Sequence, residues 1–162
     1  MSNGYTDRAT AYAREVVSGK VVAGRPHFLA CQRHLKDLER SLRNDPTFPY
    51  VWRPDLSENI IDYAETLTIV EGSAPRPLKL YECQAFDLGV PFGWIHKDTG
   101  YRRFRRSYKS MARQNGKTFQ NGITGSYIAG FSGYQYGKLF TVATKKRQAR
   151  LAWEEISKFI RT

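Results

Sequence analysis

A chain of 162 residues with 41% hydrophobic and 25% charged side chains has the length of one domain and enough apolar content for a core, which excludes a disordered polymer. No apolar run approaches the roughly 18 residues of a membrane span, and no apolar signal segment follows the first charges, so residence in the cytoplasm is expected. The net charge of +11 lies almost wholly in one half: between Asp98 and Glu154 there is no acidic residue, and that half is expected to attract polyanions. Two distant cysteines, Cys31 and Cys83, predict buried thiols rather than a disulfide framework.

In chain order, apolar residues at helical spacing predict a helix over 5–19, stopped by Gly19, and a second from Pro26 to about Arg43, stopped by Asn44-Asp45-Pro46. On the second, His27, Cys31 and His34 fall on one side with the residue types of a zinc site, but no further cluster supplies a fourth ligand, so packing is predicted instead. Residues 46–56 read as an extended connector. Ser57 is the expected cap of a third helix carrying Ile60, Ile61, Ala64 and Leu67. The turn-rich run Gly72-Ser73-Ala74-Pro75-Arg76-Pro77 is the expected boundary between a helical N-terminal extension, 1–74, and a second module, 75–162. There the predicted elements are a helix over 78–86, an aromatic turn over 90–95, a strand over 101–111, a helix over 119–129 broken by Gly130, Gly133 and Gly137, a buried strand over 139–143, and a helix from Lys145 burying Ala149, Ala152, Trp153, Ile156 and Phe159.

Between the strand over 101–111 and the helix after it stands Met111-Ala112-Arg113-Gln114-Asn115-Gly116-Lys117-Thr118. Gly-Lys-Thr at a helix start is the core of a phosphate-cradling loop: backbone N–H groups wrap the phosphates, the lysine reaches the terminal ones, and the threonine hydroxyl takes a place on Mg²⁺. The usual pattern has glycine where this chain has Met111. Arg113 stands where a guanidinium could meet a γ-phosphate. Strand, loop, helix, strand, helix predicts an α/β fold, a partial P-loop NTPase parallel sheet preceded by the helical extension.

The chain resembles the large terminase subunit of tailed bacteriophages, the ATP-driven motor that packages viral DNA. Ala112 to Thr118 is similar to that family's deviant loop, in which an arginine precedes Gly-Lys-Ser/Thr and the first glycine is commonly absent. Pro77 to Phe86, followed by Phe92-Gly93-Trp94, resembles the segment whose glutamine and aromatics hold adenine, and gives Gln84 that role; an amide can pair with adenine N6 and N7 together. Phe140 to Ala149 resembles the strand and helix start after the loop. The resemblance implies ATP and Mg²⁺ as ligands, with Gln84, Arg113, Gln114, Asn115, Gly116, Lys117 and Thr118 around the nucleotide, Lys117 and Arg113 as its catalytic cations and Thr118 on the metal. It implies as partners double-stranded viral DNA, a small terminase subunit, a portal protein and further copies in a homo-oligomeric ring, in the cytoplasm of a bacterial host and with no membrane. Arg102, Arg103, Arg105 and Arg106 are the expected DNA contacts.

The family also requires an apolar strand closing on Asp-Glu, and later a nuclease domain with carboxylate-bound metals. Neither is found in these residues, so the chain is expected to be the N-terminal part of a large terminase, holding ATP weakly and barely hydrolysing it. The alternative from another class is a basic nucleic-acid-binding or interaction module with a vestigial loop, in which the arginines of 102–106 and the tyrosines of 127–136 contact phosphates and bases. A small kinase would lack its acidic residues too.

Overall fold

The computed structural model describes residues 6–69, 74–133 and 138–161. Residue 5 of the first predicted helix, Gly72, Ser73, the tyrosines at 134 and 136, and Gly137 lie outside the described residues, as does the side chain of Ala152. The elements are α1 Arg8–Val17, α2 Arg25–Leu42, β1 Tyr50–Trp52, α3 Pro54–Thr66, β2 Thr68–Ile69, β3 Arg76–Pro77, α4 Glu82–Gly93, β4 Trp94–His96, α5 Lys117–Phe131 and α6 Lys146–Arg161. The chain forms two compact units, one of Met1–Ile61 with Leu80–Ser107, the other of Asp62–Lys79 with Tyr108–Thr162.

In the first unit the helices expected over 5–19 and from Pro26 form as α1 and α2. Asp7 caps α1 by accepting from the Thr10 N–H at 2.9 Å, and Pro26 sits in the first turn of α2. Ser57, however, caps nothing: α3 already begins at Pro54, and Ser57 is fully buried within it. Helix α4 starts at Glu82 rather than at residue 78 and runs through the predicted aromatic turn to Gly93. Pro91 costs one backbone bond near the end of that helix, and burial of Phe86, Leu88, Val90 and Phe92 offsets it. Trp94, Ile95 and His96 then pair antiparallel with Trp52, Val51 and Tyr50. Gly93 lets the Trp52 ring approach so closely that a Cβ there would lie 2.4 Å from it.

The core of this unit is aromatic and carries one ordered polar chain. The Trp94 indole donates to His34 Nδ1 at 3.0 Å, which assigns the imidazole proton to Nε2 and makes it the donor to Thr10 Oγ1, 3.1 Å away. Thr10 Oγ1 donates to Asp7 Oδ2 at 2.8 Å, and the Trp52 indole donates to the same oxygen at 3.1 Å. Both ring nitrogens of His34 are therefore engaged in hydrogen bonds within the core. Burial holds this imidazole in its neutral form, down to about 4 from the usual 6.5. The unfolded chain binds the proton more readily than the folded one, so stability should fall as pH drops from 6.5 towards 4. Roughly 2 kcal/mol should be lost by pH 5, above most carboxylate titrations. Urea unfolding at pH 7 and pH 5 measures this, and equal stabilities would contradict the network. Cys31 is fully buried, which pushes its thiol up to about 12, while Cys83 is half-buried; neither is in a disulfide.

In the second unit β2 and β3 form a two-stranded antiparallel ribbon, and α5 packs on α6. Gly125 allows the approach: a Cβ there would meet Ile156 at 3.1 Å. Phe119 meets Phe159 edge-on at 5.2 Å, and Tyr63 donates to Ser126 Oγ at 2.8 Å. Trp153, expected inside, is 57% exposed. Neither predicted strand forms among the described residues: 101–111 contributes a single bridge, Ile95 with Arg102, and 139–143 is unpaired. A buried parallel strand needs a neighbour to take its N–H and C=O groups. Residues 139–143 have none among the described residues, and Phe140 and Val142 lie exposed. The sheets described are thus antiparallel pairs, where a parallel sheet was expected.

Candidate nucleotide site

The loop from Met111 to Thr118 meets the N-terminus of α5, and its backbone turns sharply just before the helix. Gln114 has φ 63° and Gly116 φ 76°, both left-handed. Glycine takes that conformation freely, whereas for Gln114 it costs about 1–2 kcal/mol, a strain more usual at ligand loops than in plain connectors. Gly116 occupies the cap position with no side-chain acceptor, and the first turn of α5 holds no acidic residue. The Gln120 N–H is the first to find a helical partner, Gly116 O at 2.9 Å. The N–H groups ahead of it, with the positive end of the helix dipole, suit an external anion.

Lys117 opens the helix and reaches back, its Nζ donating to Met111 O at 2.7 Å. Its ammonium thereby closes the loop on the very residue that replaces the usual glycine. The position uses the Met111 carbonyl, a backbone group any residue supplies. Asn115 Nδ2 donates to Arg113 O at 3.1 Å, and Arg113, Gln114, Asn115, Lys117 and Thr118 are all exposed. Thr118 also lines a groove of about 420 Å³ with Asn121, Thr124, Phe140, Val142 and Gln148. The donor set fits a polyphosphate: free N–H groups, two cations and one hydroxyl. For Mg²⁺ the loop offers the Thr118 oxygen, and phosphate and water oxygens would complete the shell.

Gln84 lies in the other compact unit, at the start of α4, where its Oε1 accepts from the Tyr81 N–H at 3.0 Å in a capping box. The four arginines predicted to act together have different surroundings. Arg105 and Arg106 are exposed, and Arg102 lies over the Phe92 ring at 4.7 Å. Arg103 is drawn inward: its Nη1 donates to the buried Asp37 carboxylate at 2.6 Å, among the rings of Phe48, Tyr50, Trp94 and Phe104. The spacing did not reveal a contact between Lys109 and Gln120. A signal was present: Gln120 shares the apolar face of α5 with Ile123 and Tyr127, and a polar group there requires a partner.

Residues 82–162 match the family of the terminase large subunit, ATPase domain, and the chain belongs to it. The matched segment holds α4, the loop, α5 and α6. No curated protein and no solved structure matches the chain. Among the described residues, no helix is long and apolar enough to cross a membrane.

Proposed function

We propose that this chain holds ATP with Mg²⁺ in the loop from Ala112 to Thr118, as the nucleotide-holding portion of a motor that drives double-stranded viral DNA into a procapsid in the bacterial cytoplasm. The observation that carries the reading is the loop itself. Two left-handed residues, an uncapped helix N-terminus and a lysine folded over the turn occur where the family's ATPase domain matches. When phosphate arrives, Lys117 exchanges the Met111 carbonyl for a phosphate oxygen, the N–H groups of the first turn take the anion, and Arg113 adds its guanidinium. Thr118 supplies a hydroxyl to the metal. The parallel sheet of such ATPases belongs to this reading, as do a small terminase subunit, a portal protein and a ring of further copies as partners. The family provides the ground for these assignments.

No carboxylate occurs from Thr99 to Trp153, so activation of an attacking water is not assigned to this stretch. Contacts to DNA phosphates fall to Arg105 and Arg106, which are exposed in an acid-free run, rather than to Arg103. Gln84 is proposed as the reader of adenine. Its test is competition between ATP and GTP: the unmutated protein should prefer ATP, and Gln84→Ala should weaken ATP by roughly 1–3 kcal/mol and erase the preference. Equal affinities before mutation would remove Gln84 from the site.

A further inference from the structure

Gln120 is 4% exposed, and its side chain is held through one oxygen: Oε1 accepts from Lys109 Nζ, whereas Nε2 is buried with no hydrogen-bond partner among the described residues. The backbone N–H of the same residue closes the first turn of α5 on Gly116 O at 2.9 Å. Lys109 stands ahead of the loop and is half-buried. One residue behind the loop is thus bound both to the loop's glycine and to the arm that leads into it. The exposed contact, from Lys117 to Met111 O, is of a different kind, because the ammonium must leave it to meet a phosphate.

We propose that Lys109 and Gln120 are a positioning pair that holds the entry arm of the phosphate loop against α5 while Lys117 exchanges partners. The proposal rests on the loop being the nucleotide site. Once Lys117 has turned to the ligand, the entry arm keeps the Lys109 bond as its tether to the helix. A loop held in its binding curve beforehand spares the ligand the entropy of ordering it. Neither residue needs to touch the nucleotide.

Lys109→Met and Gln120→Leu each remove the bond at nearly constant side-chain size, and Gln120→Glu replaces it with an ion pair. Affinity for a fluorescent ATP analogue should fall about tenfold in each of the first two, the loss of one charge-assisted hydrogen bond. The double variant should lose no more than either single one. Gln120→Glu should bind as the unmutated protein does. In the absence of nucleotide, amide exchange at residues 111–116 should quicken in Lys109→Met while α6 exchanges as before, which a general loss of stability would not produce. If Lys109→Met fails to fold, Gln120→Leu gives the same readout. Unchanged affinity and loop exchange in these variants, with the unmutated protein binding normally, would overturn the pair alone. An unmutated protein that binds no nucleotide would overturn the functional reading and the pair together.

Discussion

Lys117→Ala is expected to weaken binding of ATP by roughly tenfold to a hundredfold, with little change in stability. The first part follows from what the ammonium does: a charged hydrogen bond to phosphate contributes about 1.5–3 kcal/mol. The second follows from its place. Lys117 is exposed at the first position of α5, and its visible partner is a backbone oxygen, Met111 O, that water can satisfy. Substitutions of that kind usually stay within about 0.5 kcal/mol. Lys117→Arg should not restore full affinity, because a planar fork does not replace a compact point charge at the mouth of a tight loop. A fluorescent ATP analogue reads the affinity and urea unfolding the stability. Undiminished binding by Lys117→Ala would remove this lysine from the site.

Arg103→Ala should be costly in the opposite way, destabilising the fold by about 3–5 kcal/mol, the usual result of stranding a buried charge. Asp37 is 6% exposed, and the Arg103 guanidinium lies 2.6 Å from its carboxylate. The same guanidinium lies within 4.9–5.6 Å of four aromatic ring centres, so the substitution also removes cation–π contacts and packing. The Arg103 backbone adds a bond of its own, N–H to Trp94 O at 2.9 Å, which holds the arginine beside β4. Pairing Arg103→Met with Asp37→Leu should recover much of the loss, since removing both charges leaves none buried. Arg105→Ala and Arg106→Ala, by contrast, should leave urea unfolding unchanged. An Arg103→Ala protein as stable as the parent would contradict the structural role of this residue.

What the sequence discloses here depends on how local the cause is. Helices α1 and α2 follow directly from their apolar spacing and end signals, and the turn into α5 at Gly116-Lys117-Thr118 is legible because the loop proposed to hold phosphate is written in consecutive residues. The second half of α4, from Asp87 to Gly93, is hidden behind Pro91 and its aromatics, whose burial overrides a local preference for a turn, whereas its start falls within the helix expected over 78–86. Residues 139–143 have the composition of a strand, but a strand is made by its neighbours, and composition does not name them. Arg103 sits in a run of arginines that reads as one solvated face. Its true surroundings include Asp37, Phe48 and Tyr50 from far earlier in the chain, with Trp94 nine residues before it. The Lys109–Gln120 bond is tertiary in the same sense, hinted at only by a polar residue on an apolar face.

Nucleotide is proposed to bind on the loop ahead of α5. Amide NMR spectra recorded while a non-hydrolysable ATP analogue and Mg²⁺ are added test it most directly. Large shifts are expected at Asn115, Gly116, Lys117 and Thr118, abolished in Lys117→Ala. Spectra that do not change, or shifts that spare these four amides, would contradict it.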